Sequence, residues 1–578
     1  MKYSATVLLV SFFCCTLHAQ QPKTFTATPT YDEIIATYKG FDKKFGDDTL
    51  IEIGKTDIGM PLHLYVLSKD HVLLPGDKNR KNKTVLFINN GIHPGEPDGI
   101  DASIELVKTL HEKPELLPEN LVICIVPVFN VDGCINRGKY SRANQNGPDE
   151  YGFRGNAKNL DLNRDFIKCD AENTKSLERA FQQWKPEVFI DTHVSDGADY
   201  QYTMTLIATQ RNKINPQVGT YIDTKFVPAL YQSMKEKNYE MCPYVDTRDR
   251  TPESGIVGFL ETPRFSTGYA ALFNCMGFVT ETHMWKPYND RVQATYGFFR
   301  SMLVYLAKEG PEIKRVKAAA DYQVQNRVYF DLNWALDTTK FDTIPFRGFE
   351  AKYKTSSISG QQRLYYDRSQ PFTKTVRFYN TYKARTSALK PMWYIVPQAW
   401  TGVIERLQLN GVQMKRLKKD TTVQCEMYYI DSYETYKSSY ESHYPHYNTR
   451  VRAVSQQVKF FKGDYVIETA QTGNRYIIES LEPEGDDSFF AWNFFDGILN
   501  QKEWFSDYIF EEEAEKILAR DPVLKKELEE KKKNDTAFAE NHWAQINFVY
   551  QRSVYKEITH NRYPVARIME PMRLPVEK

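Results

Sequence analysis

VLFINNGIHPGEPDGIDASIELV, residues 85–107, joins an apolar run to a helical pattern through a turn that carries His93 and Glu96. The run at 85–88 lacks polar alternation, which is how a strand covered on both faces reads. From residue 97 onward, Ile100, Ile104 and Val107 recur at helical spacing, so 97–110 reads as a helix. An imidazole and a carboxylate, three positions apart, stand between strand and helix. Open α/β sheets bind ligands outside the carboxyl ends of their strands. Catalytic zinc sites use three protein ligands and leave a fourth position open. His93 and Glu96 are therefore two candidate metal ligands; the plainer reading is two polar loop residues.

The same arrangement returns twice. VFIDTH (188–193) reads as a strand that ends in His193, and GFVTETH (277–283) reads as a strand that carries Glu281 near its end. LVICIVPVFN (121–130) is a further buried strand, while SLERAFQQW (176–184) and FFRSMLVYLAKE (298–309) are helical. This βαβα order predicts an α/β layered fold with a largely parallel sheet. Near residue 310 the texture changes. RVYFDLNW, KTVRFYNTYKA and QVKFFKGDYVIETA alternate with period two between Gly, Asp, Asn and Pro, so 320–578 reads as a mostly β accessory region. A charged helix is expected near 510–535, its charges forming a solvated face.

A chain of 578 residues is too long for one ordinary domain. With 75 basic and 74 acidic residues, the net charge of +1 offers nothing to attract nucleic acid or an anionic membrane surface. The chain opens MKYSATVLLVSFFCCTLHAQQPK: a lysine, then an apolar run at 5–17 of signal-peptide length, too short to span a bilayer. Residues 1–19 are thus expected to be a signal peptide cleaved after Ala19, with a retained anchor as the rival. Nothing later reaches the ~20 apolar residues a span requires. The mature chain is expected in the periplasm or outside the cell. It keeps Cys124, Cys134, Cys169, Cys242, Cys275 and Cys425, without a CxxC pair, so a disulfide is not required and Cys124 reads as a buried thiol.

NNGIHPGEPDG, PVFNVDG, GFRGNAKNLDLNRDF, IDTHVSDG and FVTETH, taken in order over residues 30–310, resemble the zinc carboxypeptidases of the carboxypeptidase A-like family. The resemblance implies a catalytic domain over 24–312, built on a mixed, largely parallel sheet covered by helices. It implies one zinc ion per chain, held by His93, Glu96 and His193, with Glu281 as general base. It makes Arg154 the group that polarises the scissile carbonyl; Arg142 competes, because the spacing between PVFNVDG and LNRDF varies. Asn163 and Arg164 match the pair that grips the substrate's terminal carboxylate. Tyr269, in PRFSTGYAALF, is the candidate for the mobile substrate-binding tyrosine, with Tyr200 and Tyr202 competing, and Arg264 would add a second carboxylate contact. MWYIVPQAWTGVIERLQLNGV (392–412) resembles, more loosely, accessory regions of some exported bacterial members.

The chemistry of these residues supports such roles. A positioned carboxylate can take a proton from water and hand it to a leaving amine. A guanidinium can stabilise a developing oxyanion or hold a carboxylate through two parallel hydrogen bonds. Asp191 could orient His193 from behind. After the third ligand comes VSDGADYQY, and after the base THMWKPY, so His283 and Trp285 leave the side-chain preference open. The expected activity is removal of C-terminal residues from peptides with a free C-terminus. The rivals are a cell-wall peptide amidase, an N-acyl amino acid deacylase, and an inactive zinc-containing binding protein.

Overall fold

The computed structural model describes residues 24–577; the expected signal segment at 1–19 lies outside the described residues. The first half runs α1 (Tyr31–Lys44), β1 (Asp48–Lys55), β2 (Pro61–Leu67), β3 (Thr84–Asn89), α2 (Asp98–Glu112), β4 (Leu121–Val126), α3 (Val131–Ile135), α4 (Glu172–Trp184), β5 (Val188–Ser195) and β6 (Met204–Ala208). It continues through α5 (Pro216–Tyr221), α6 (Val227–Glu236), the short β7 (Cys242–Pro243), β8 (Asp246–Thr247) and β9 (Ile256–Val257), then α7 (Ser266–Leu272), β10 (Met276–His283) and α8 (Tyr288–Asn326).

Eight strands form one mixed sheet in the order β1-β2-β4-β3-β5-β10-β6-β7. The central four, β4-β3-β5-β10, are parallel, and antiparallel pairs flank them. Every residue of β3, β4 and β5 is buried, as their unbroken apolar runs require. Helix α8 packs on α2 and crosses β3, β4, β6 and β10, while α4 lies along β1 and β2. The strands bearing His193 and Glu281 are direct neighbours, and the two residues stand opposite each other in the parallel register.

The second half begins with β11 (Tyr329–Leu336), the long hairpin β12 (Asp342–Thr355) and β13 (Gln362–Tyr379), and β14 (Tyr382–Leu389). It goes on to β15 (Trp393–Val396), α9 (Thr401–Leu409), β16 (Met414–Arg416), a second long hairpin of β17 (Thr421–Thr435) and β18 (His446–Phe460), β19 (Tyr465–Glu468) and α10 (Asn474–Leu481). Up to residue 468 it is mostly β; beyond that it is mostly helical, until β20 (Ala566–Ile568) returns to the sheet between β15 and β17.

Two expectations are refined. The junction placed at 312–320 falls inside α8, which runs unbroken from the sheet into the second half. The halves also share a sheet, because β13 pairs parallel with β9, and they share apolar packing, because Tyr394, Leu407, Tyr476 and Trp492 join the cluster that surrounds β3 and β4. The charged stretch near 510–535 is two helices, α11 (Asp507–Arg520) and α12 (Pro522–Asn534). Pro522 cannot continue the first, and Asp521 caps the second by accepting from the backbone N–H of Val523 and Leu524. Their apolar stripe is covered by α13 (Thr536–Ala539) and α14 (His542–Tyr550) around Phe510, Leu524 and Leu528. All six cysteines of the described residues are buried free thiols. Among the described residues, no helix is long and apolar enough to cross a membrane.

Candidate active site

The turn after β3 is tight. Gly91 adopts φ +65°, and a Cβ there would meet Ile100 and Val128, so glycine alone suits it. Within this turn the Glu96 N–H donates to the His93 carbonyl (2.8 Å), which aims both side chains along the strand ends. Glu96 Oε2 lies 3.3 Å from His93 Nδ1 and 3.1 Å from His193 Nδ1, and it accepts from Val194 N at 3.0 Å. The three potential ligand atoms fall within 4.8 Å of one another, and all three residues are buried.

Carboxylates hold the outer nitrogen of each imidazole. His93 Nε2 is 2.9 Å from Asp161 Oδ1, and His193 Nε2 is 3.1 Å from Asp191 Oδ2. Such partners fix ring orientation and raise ligand basicity. Burial raises the Glu96 carboxyl pKa, but the Arg142 guanidinium and the two histidines outweigh it and hold the group well below the usual carboxylate range. Two imidazoles and one ionised carboxylate, converging and supported from behind, form a donor set that fits zinc.

The cluster opens into a cavity of about 500 Å³, lined among others by Arg154, Asn163, Arg164, Tyr244, Glu261 and Glu281. Burial pushes Glu281 up to about 8; the charges of His193 and Arg154 oppose the shift, and those of Glu96 and Asp191 add to it. Glu261 is pushed to about 7, again by burial, and it accepts a hydrogen bond from Thr267. The charges acting on Glu281 are those of the histidine cluster, whereas Glu261 feels Lys213 instead, so Glu281 is the carboxylate at the cluster.

The two candidate arginines differ in freedom. Arg142 bonds Glu96 Oε1 (2.8 Å), Gln145 Oε1 (2.6 Å) and the Val194 carbonyl. Arg154 is 45% exposed; Nε and Nη2 engage Asp161, and Nη1 stands 3.5 Å from Glu96 Oε1 at the cavity. Asn163 Oδ1 accepts from Ser266 N, while the Arg164 guanidinium stacks on the Phe265 ring, 4.5 Å from its centroid, and stays partly exposed.

Two expected substrate-binding residues lie elsewhere. Tyr269 is 1% exposed inside α7, and its hydroxyl donates to Asn410 Oδ1 of the second half (2.5 Å), because helical periodicity turns it into the core. Arg264 is committed to Asp487, which accepts from both its backbone N–H and its guanidinium. Tyr200 is fully buried, and Tyr202 lines a neighbouring cavity of about 460 Å³ roofed by β12 and β13. The tyrosine at the candidate site is Tyr244, whose hydroxyl is pushed up by burial and by Glu281 and Asp196. It lies between β7 and β8, outside any quoted motif. Asp161, the support of His93, could have been suspected from its position two residues before Asn163.

Residues 35–225 match the model of the zinc carboxypeptidase family. Among curated proteins, the chain is 20% identical over 501 residues to carboxypeptidase 2 of Trichophyton tonsurans, covering 80% of this chain and 84% of that protein. It is 19% identical over 504 residues to carboxypeptidase 2 of Trichophyton rubrum, with the same coverage. These relatives are fungal rather than bacterial, and an alignment covering 80% of the chain extends past residue 312. Among solved structures, a metallo-carboxypeptidase from Burkholderia cenocepacia aligns at 17% identity and TM-score 0.36 over 48% of this chain and 69% of that one. Carboxypeptidase A from Helicoverpa armigera aligns at 15% and 0.36 over 50% and 74%.

Proposed function

We propose that this chain is an exported zinc metallocarboxypeptidase that removes C-terminal residues from peptides. The observation that carries the reading is one cavity that holds the His93–Glu96–His193 cluster, a buried carboxylate with a raised pKa, and an asparagine–arginine pair whose guanidinium stays partly exposed, with Asp161 Oδ2 3.9 Å from Arg164 Nη1. His93, Glu96 and His193 would hold one zinc ion, which when bound supplies Lewis-acid chemistry by polarising a carbonyl and acidifying water.

The chain's own residues do the rest. Arg164 and Asn163 bind the terminal carboxylate and set the register of the peptide, so that the last peptide bond lies at Glu281. Glu281 accepts a proton from the attacking water and returns it to the leaving nitrogen; its raised pKa lies close to neutral pH, where such exchange is most effective. Arg154 stabilises charge that develops on the scissile oxygen. Its greater exposure at the cavity, 45% against 14%, supports it over the more enclosed Arg142. Asp161 and Asp191 keep both imidazoles in the tautomer that presents Nδ1 to the centre.

The test is a digest of one peptide as free acid and as C-terminal amide, followed by mass spectrometry with and without chelator. The free acid should be shortened one residue at a time and the amide cut at least tenfold more slowly, since a charge-assisted hydrogen bond is worth roughly 1.5–3 kcal/mol. Internal cuts, or equal rates on acid and amide, would refute a carboxypeptidase.

A further inference from the structure

Asp161, Asn163 and Arg164 belong to a segment, 161–170, that has little regular structure of its own. A single 3-10 turn, Leu162–Arg164, starts from Asp161, whose Oδ1 accepts from Asn163 N. The second half grips this segment at both ends. At the far end, Arg406 of α9 reaches the carbonyls of Lys168 and Cys169 and the Asp170 carboxylate (2.8 Å). His443 Nε2 stands 2.8 Å from the other Asp170 oxygen. At the near end, Glu441 Oε2 accepts from the backbone N–H of Asp161 at 2.8 Å.

Glu441 sits at the tip of the β17–β18 hairpin. Tyr440 and His443 exchange backbone hydrogen bonds of 2.8 and 3.1 Å around Glu441 and Ser442, whose φ angles are +51° and +66°. This is the pattern of a type I′ turn, which favours Asn-Gly or Asp-Gly because both central residues need positive φ. Glu-Ser fits it poorly, and residues in such conformations persist where their surroundings over-determine them. Here the side chain explains the choice: glycine in place of Glu441 would suit the backbone but leave the Asp161 N–H without its acceptor.

Asp161 is also where the site converges. Its side chain serves His93 Nε2, Asn163 N and Arg154, and its carbonyl accepts from Arg164 N. Besides the bonds from His93 and Arg154, this turn is fixed by local hydrogen bonds, by Ser266 N, which donates to Asn163 Oδ1, and by Glu441 of the second half. Residue 441 also lies outside the stretch that matches the zinc carboxypeptidase family model.

We propose that the Glu441–Ser442 turn is a positioning element of the substrate cavity, holding the Asp161 backbone so that Asn163 and Arg164 meet the terminal carboxylate of the peptide. The proposal rests on the reading of Asn163 and Arg164 given above. Glu441 does not line the cavity, so its effect on substrate passes through the segment it anchors.

The test uses the full chain as wild type, Glu441→Ala and Glu441→Gln, assayed on one peptide as free acid and as C-terminal amide, with zinc content and thermal unfolding recorded for each. Glu441→Ala should raise KM for the free acid about tenfold, keep kcat within about twofold, and leave the amide unchanged. Glu441→Gln should restore wild-type KM, because its amide oxygen still accepts the Asp161 N–H. Should Glu441→Ala not fold, His443→Ala frees the same turn from Asp170 and should raise KM for the free acid severalfold. An unchanged KM for the free acid, or equal slowing of acid and amide, would overturn the role of the turn. A wild type with no preference for the free acid would instead overturn the carboxylate reading beneath it, and that outcome is read from the wild type alone.

Discussion

Replacing Asp161 by asparagine should weaken zinc binding without unfolding the chain. Four donors meet this carboxylate at 2.9 Å: His93 Nε2 and Asn163 N at Oδ1, and Arg154 Nε and Nη2 at Oδ2. An asparagine oxygen can still serve His93 and Asn163. Its NH₂ must then face the two Arg154 donors, so two charge-assisted hydrogen bonds are lost and the guanidinium is pushed away. The charge that makes His93 a better ligand is lost as well; burial alone would raise the Asp161 pKa, yet His93, Arg154 and Arg164 hold it far below the usual range. Loss of such a supporting partner typically lowers metal affinity or activity 10- to 100-fold. At about 1.4 kcal/mol per tenfold, that is about 1.4–2.8 kcal/mol. Competition with a chromophoric chelator gives the zinc Kd, and kcat under saturating zinc reports separately on Arg154. A folded Asp161→Asn protein whose zinc Kd lies within twofold of wild type would refute the support assigned to this residue.

Glu281→Gln should retain zinc and lose about 10²–10⁴-fold in kcat, as removal of a general base does; full activity there, with an inactive Glu261→Gln, would move the base to the other carboxylate. Arg164→Ala should slow hydrolysis of a free-acid peptide at least tenfold and leave the amide nearly unchanged, measured as kcat/KM. Arg291, fully buried, bonds Asp98 and the carbonyls of Asn146, Gly147, Met284 and Lys286, so Arg291→Met should cost about 3–5 kcal/mol, read by denaturant unfolding. Glu261 has a folded pKa of about 7 against 4.5 for the unfolded group, so the folded state holds this proton longer; its contribution to stability is full below pH 4.5 and falls by about 3 kcal/mol as pH rises to 7, and Glu261→Gln should flatten that part of the stability–pH curve.

Local patterns carried much of the site. His93 and Glu96 could be paired from the sequence because three residues of a tight turn place both on one strand end, and β5 and β10 announced themselves by apolar runs that finish in His193 and near Glu281. Tyr269 and Arg264 misled for a related reason. Both sit in a polar stretch beside the site, but the helix of α7 turns one inward, and an aspartate 223 residues away claims the other. Tyr244 carries no motif at all; it reaches the cavity because β6 and β7 pair at the sheet edge.

The sequence by itself determined the elements whose cause is local: the buried central strands, the amphipathic helices, the ligand turn and the order of the motifs. The mixed sheet followed, because parallel neighbours need long crossovers and the helical patterns supplied them. Only the tertiary structure decided what the second half does to the first. β13 extends the short β8–β9 pair, Asn410 receives the Tyr269 hydroxyl, Asp487 holds Arg264, and Glu441 reaches Asp161. Each of these contacts joins residues more than a hundred positions apart. Their partners are fixed by how two long hairpins, α9 and the turn after α10 pack against the first half, and no periodicity or spacing within one segment encodes that packing.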